Sequence, residues 1–211
     1  MALATVAISL TLSFILNPLA ARLGLVDRPG GRKTHTGDIP LLGGVVIFIT
    51  FTSVSAYLSA LNAPLITAMA LLLVLGLYDD RYDLKPTFKL LGQVGAALIF
   101  MFAGDIHIAS LGSLSGSREL LLGLWGYPLT LVAIVGLINA LNMSDGIYGL
   151  AASLTLLALS HLVMAMQLIA RPLGGDVLME LIVFGAAIMG FFLLNIGLKN
   201  TKKSFWAIRD R

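Results

Sequence analysis

The chain has 211 residues, of which 58% are hydrophobic and only 12% charged, with a net charge of +3, and its mean hydropathy is +0.94. That balance lies well outside the range of soluble globular domains and describes an integral membrane protein with no nucleic-acid partner. There is no cysteine, which excludes disulfides, thiolate metal sites and cysteine nucleophiles.

Apolar runs, with Lys89 and Glu180 the only charged residues inside them, cover residues 3–20, 41–61, 63–78, 88–103, 120–138, 150–170 and 177–197. At roughly 20 residues per bilayer crossing, each is long enough, or nearly so, to span as a helix. The expected fold is therefore all-α and polytopic, one transmembrane helical domain over 1–211 with about seven spans. The third and fourth runs are the shortest and are expected to borrow residues from their flanks or to tilt less. A cleaved signal peptide over the first run would suit Ala20-Ala21, but no Lys or Arg precedes the run.

The connections alternate in character. Arg22, Arg28, Arg32 and Lys33, then Arg81, Lys85 and Lys89, then Lys199, Lys202, Lys203, Arg209 and Arg211 fall on one side of a seven-span chain, and only Arg118 and Arg171 on the other. Short loops rich in Lys and Arg stay cytoplasmic, so the N-terminus is expected outside and the C-terminus inside. The first inner connection, RLGLVDRPGGRKTHTGDIPLLGG, is too rich in Pro and Gly for a helix. The outer connection GDIHIASLGSLSGSREL reads as a loop or small hairpin, with no chemistry expected there.

Three inner clusters could carry chemistry. In LYDDRYD, Asp79, Asp80 and Asp83 stand at i, i+1 and i+4 in an acid-poor chain. If the helix continues through them, Asp79 and Asp83 share one face while Asp80 lies about 100° away. Carboxylates so close repel unless a cation joins them, which suits Mg²⁺, or Arg81 and Lys85 simply neutralise a solvated helix end. Asn139, Asn142 and Asp145 repeat at i, i+3 and i+6, one polar ridge followed by Gly146 and Gly149. Its asparagines offer neutral oxygens to a cation or donors to a phosphate, and the plain alternative is a polar helix end with glycine stops. Arg32, Lys33 and His35 could meet an anion, or be ordinary inner-side charge. Lys89 and Gln93 lie four apart where an ammonium reaches headgroup level. His107 and His161 read as non-functional.

The order RKTHTGDIPLLGG, then LGLYDDRYD with KLLGQ, then NALNMSDGIYGL, over most of residues 20–198, resembles the polyprenyl-phosphate N-acetylhexosamine-1-phosphate transferases of glycosyltransferase family 4, and among them the bacterial undecaprenyl-phosphate GlcNAc-1-phosphate branch. The pentapeptide-precursor branch usually has Lys at the end of its acidic motif and Pro-Thr-Pro in the first loop, where this chain has Asp83 and Ile39-Pro40. The resemblance implies transfer of a sugar 1-phosphate from a UDP-N-acetylhexosamine to undecaprenyl phosphate, with Mg²⁺ (or Mn²⁺) and release of UMP. It implies a multi-pass protein of the bacterial inner membrane, active at the cytoplasmic face, with a homodimer left open.

The same resemblance implies roles for residues. Asp79, Asp80 and Asp83 become the catalytic acids, with Asn142 and Asp80 at the metal. Asp145 and Gly146 go to the nucleotide-sugar pocket, Lys33, His35 and Lys89 to the phosphates, and Asn139 and Asn195 to substrate binding. Two departures stand out: Tyr148 replaces an Asp of the third motif, and past Asn195 the family's Gly-Asp-Ala/Ser-Gly-Ser metal motif and histidine-rich loop are not in this sequence. Loss of one base from codons for Phe-Leu-Gly-Asp-Ser-Gly-Ser yields Phe205 to Arg211 as they stand. Residues 204–211 are therefore expected to be a frameshifted tail, and the chain to lack turnover. The competing readings are a catalytically inactive homologue that binds polyprenyl phosphate or a partner, and a small transporter, against which the placement of the acids at span ends counts.

Overall fold

The computed structural model describes residues 1–23, 26–27, 39–40, 42–113, 119–144, 149–168 and 175–209, with side chains over 1–16, 42–113, 119–144, 149–168 and 176–194. Seven α-helices account for nearly all of these: α1 Ala2–Leu23, α2 Gly43–Tyr57, α3 Ala63–Tyr82, α4 Pro86–Ala103, α5 Gly126–Ser144, α6 Leu150–Leu168 and α7 Gly175–Arg209. Each overlaps one of the seven apolar runs, and α7 continues beyond its run to Arg209. Five segments are long and apolar enough to cross a membrane, over 63–82, 86–103, 123–144, 150–168 and 176–194, while Ala2–Leu16 and Gly43–Tyr57 are shorter apolar stretches. The protein is all-α and polytopic. A two-residue ladder, β1 Val26–Asp27 against β2 Ile39–Pro40, is antiparallel, pairing Val26 with Pro40 and Asp27 with Ile39.

The chain divides into two compact units, Met1–Leu61 with Asp145–Arg211, and Asn62–Ser144. In the first, α1, α2, α6 and α7 pack on one another. Thr5, Ser9 and Ser13 form a buried ridge on α1, and the Ser9 hydroxyl donates to the Ala187 carbonyl of α7 at 2.7 Å. Gly190 permits that approach, because a Cβ there would meet the Ser9 Cβ and the Val6 carbonyl oxygen at 2.6 Å. Phe51 of α2 packs edge-on against Phe184 of α7, with ring centroids 5.6 Å apart.

The second unit is α3, α4 and α5 with the connection between the last two. Asn62 caps α3 by accepting from the Leu65 amide at 3.2 Å, and Pro64 stands in the first turn. The helix runs four residues beyond the apolar limit at Tyr78, taking in Asp79 and Asp80, and ends at Tyr82 because Asp83 turns left-handed (φ 49°, ψ 70°). Three residues later Pro86 opens α4. The α3 and α4 backbones approach where Gly92 faces Leu75, whose side chain leaves no room for a Cβ.

The run read as a span over 120–138 begins later than its hydropathy indicates. Leu120 to Leu122 belong to a hairpin in which Ser110 bridges Leu121, a 3-10 turn follows over Gly123–Trp125, and α5 starts at Gly126. Gly123 causes the break, with φ of +52°, a conformation no helix continues through. The expected hairpin is present, and longer than expected.

Candidate functional site

The second unit holds a hollow of about 280 Å³ lined by Leu72, Leu75, Gly76 and Asp79 of α3, Lys89 and Gln93 of α4, and Ile138 and Asn142 of α5. Two elements of local sequence create it. The left-handed turn at Asp83 and the proline at the start of α4 fold the two helices back antiparallel, which brings residues ten apart in the sequence face to face. Gly76 leaves space that a bulky side chain would fill, an added Cβ there meeting nothing within 4 Å.

Within the hollow, the Lys89 ammonium is 2.7 Å from Asp79 Oδ1, both side chains about three-quarters buried. The same carboxylate oxygen accepts from the Leu84 amide at 3.0 Å, so Asp79 ties the turn as well as the cation. The counter-ion is thus Lys89, across the turn, in addition to the neighbouring Arg81 and Lys85 the sequence offers. Arg81 stacks its guanidinium over Tyr82, 5.7 Å from the ring centroid. One turn deeper, Gln93 is only 6% exposed. Its Oε1 accepts from Asn139 Nδ2 at 2.7 Å, and the same nitrogen donates to the Val135 carbonyl at 2.8 Å.

The hollow therefore gathers Asp79, Lys89 and Asn142 of the residues singled out from sequence. Asn139 lies just beneath, its amide nitrogen committed to Gln93 and Val135. Asp80 is exposed at the next helical position and does not line the hollow. Asp83 is exposed and caps α3, its amide donating to the Asp79 carbonyl at 2.8 Å. The helix ends before it, so Asp79 and Asp83 do not form the shared helical face that a continued helix would give. Lys33, His35, Asp145 and Gly146 lie outside the described residues, and Asn195 is on α7 with its side chain outside them. What sequence reasoning missed was the Gln93–Asn139 bond. Its signal was there: two amides inside otherwise apolar spans, each needing a partner in a medium that offers no water.

A cation would find hard oxygen donors here, the carboxylate of Asp79 and the amide oxygen of Asn142. Among the described residues no three His, Asp or Glu side chains converge as a closed metal cage. That donor set fits an ion such as Mg²⁺, which binds through one or two carboxylates and completes its shell with water and substrate phosphate. It does not fit a structural zinc or a calcium cage.

Comparison with known proteins agrees with the motif order. Residues 62–198 match the family model described as glycosyl transferase family 4. The chain is 35% identical over 192 residues to the undecaprenyl-phosphate alpha-N-acetylglucosaminyl 1-phosphate transferase of Escherichia coli K12, covering 88% of this chain and 50% of that protein. It is 37% identical over 191 residues to the Salmonella typhi enzyme of the same name, with 88% and 50% covered. Against the probable undecaprenyl-phosphate N-acetylglucosaminyl 1-phosphate transferase of Bacillus subtilis strain 168 it is 36% identical over 190 residues, with 86% and 51% covered. The chain spans about half the length of the curated relatives it matches. The matched region holds the whole Asp79–Lys89–Asn142 hollow, and the chain belongs to glycosyl transferase family 4.

Proposed function

We propose that this chain carries the acceptor-phosphate side of a transferase that moves N-acetylhexosamine 1-phosphate, GlcNAc 1-phosphate by analogy with its relatives' names, from a UDP-sugar to undecaprenyl phosphate. In that reaction an oxygen of the lipid phosphate attacks the phosphorus that bears the sugar. The bond from that phosphorus to the UMP oxygen breaks, UMP leaves, and a lipid-linked diphosphate sugar remains, the first membrane step of an envelope polysaccharide. Two anions must meet beside a low-dielectric medium, so their repulsion is the main barrier the protein has to offset.

The observation that carries this reading is the ion pair in the hollow. A phosphate monoester entering beside Lys89 offers a stronger, doubly charged partner than the Asp79 carboxylate. As the ammonium turns to it, Asp79 is released to accept a proton from the acceptor or to hold a cation. Asp79 and Asn142 would hold Mg²⁺, which would supply positive charge against the repulsion of the two phosphates. Gln93 and Asn139 keep α4 and α5 in register beneath, which fixes the separation of Lys89 and Asn142. The excess of Lys and Arg at the connections on one side supports a cytoplasmic active face in an inner membrane.

The test is binding by the whole chain in lipid nanodiscs, undecaprenyl phosphate against undecaprenol. The phosphate ester should bind at least about tenfold more tightly, about 1.4 kcal/mol, and Lys89→Met should abolish the difference. Equal binding of ester and alcohol by the parent chain would overturn the assignment.

A further inference from the structure

At the other end of the 18-residue α4 from the hollow, the connection to α5 carries an apolar rim. Leu121, Leu124 and Trp125 are 71%, 85% and 78% exposed, and Ile106, Leu111 and Leu120 are exposed beside them. Hydropathy assigns Leu120 to Leu122 to a membrane span, yet they sit in the hairpin, so their apolar surface has no helix to join. Among described residues 104–127 the only charged side chains are Asp105 and Glu119, both exposed.

The rim cannot fold under the helices, because the connection is fastened to the first turn of α5. Thr130 Oγ1 accepts from the Ile108 amide at 2.8 Å and donates to the Gly126 carbonyl at 2.6 Å. His107 stacks on Tyr127 with centroids 4.4 Å apart, and Phe102 stacks on the same ring at 5.7 Å. Gly126 lies so close to the Ile108 carbonyl that any Cβ would collide with it.

Several backbone amides among the described residues of the connection are bonded within it or to the end of α4. Ile106 donates to the Met101 carbonyl, Leu111 to Leu120, Leu120 to Gly112, Leu122 to Ala109 and Trp125 to Leu122, all between 2.9 and 3.1 Å. Amides bonded in this way lose little on leaving water, which favours residence at a bilayer surface. Covalent attachment to the ends of two spans, at Ala103 and Gly126, holds it at that surface. Tryptophan and leucine with few charges are what the headgroup boundary selects.

We propose that the α4–α5 hairpin is seated in the lipid headgroup and upper acyl region of the leaflet on that side, with Leu121, Leu124 and Trp125 as its inserted edge. The inference is independent of the transferase reading. The chain has two tryptophans, so the full chain with Trp206→Phe reports on Trp125 alone. In vesicles of phosphatidylcholine brominated high on its acyl chains, Trp125 emission should be blue-shifted and fall at least about twofold relative to unbrominated lipid, with little quenching by aqueous iodide. Leu121→Lys combined with Leu124→Lys should restore most of the lost emission. Strong iodide quenching without bromolipid quenching would overturn the proposal, as would the absence of quenching by either at any protein density. The latter would show a second copy or another protein covering the rim in place of lipid.

Discussion

The bond between Gln93 and Asn139 supports an asymmetric double-mutant cycle. Gln93 is 6% exposed, and its Oε1 has Asn139 Nδ2 as partner at 2.7 Å. Asn139→Leu strands that buried oxygen, at a cost of about 1–2 kcal/mol. Gln93→Leu should cost less, about 0.6 kcal/mol, because the Asn139 nitrogen keeps its bond to the Val135 carbonyl at 2.8 Å. The double Leu variant removes donor and acceptor together, so neither is left stranded, and should return to within about 0.5 kcal/mol of the parent. Reversible unfolding of the purified chain by denaturing detergent in mixed micelles gives each free energy. The coupling expected between the two substitutions is about 1–2 kcal/mol. Singles that simply add, or a double variant worse than either, would refute a mutual bond and show each amide to be satisfied elsewhere.

Asp83 gives a second prediction. Its left-handed backbone means that Asp83→Gly should leave thermal stability unchanged or raise it by up to about 1 kcal/mol, while Asp83→Val should lower it by more than that. A Gly variant that unfolds earlier and loses undecaprenyl phosphate binding would show the carboxylate to be part of the site. The third uses the absence of cysteine: Thr34→Cys should be labelled by an impermeant maleimide from the cytoplasmic side only, and Ser115→Cys from the outside only, with both from one side refuting the orientation.

The helices were legible because lipid leaves the backbone so few choices: an apolar run of sufficient length has to be a helix, wherever its side chains point. The ends were less so, since hydropathy averages over residues and a backbone turn depends on one. Gly123 breaks the run that starts at Leu120, and nothing in the apolarity of Leu120 to Leu122 announces it. At the site, the residue types were readable but their pairing was not. Asp79 finds Lys89 because a left-handed residue and a proline set the return angle of α4. Sequence proximity favoured Arg81 and Lys85, which are nearer along the chain. Asn139 looked like a ligand by its spacing from Asn142, and the structure spends its amide nitrogen on Gln93. A 3.6-residue period says which side chains share a face, without saying what stands opposite.

The tie between Ser9 and Ala187 joins positions 178 residues apart, with all of the second unit between them in the sequence. At synthesis rates of roughly 5–20 residues per second, α1 would spend about 10–35 s in the translocon or the bilayer before its partner helix emerges. During that interval Thr5, Ser9 and Ser13, a ridge that ends up almost wholly enclosed, face lipid or an insertion factor. The unit spanning Asn62–Ser144 is complete in the chain before Ala187 is made, so it can pack while α1 still awaits the helix that encloses its ridge.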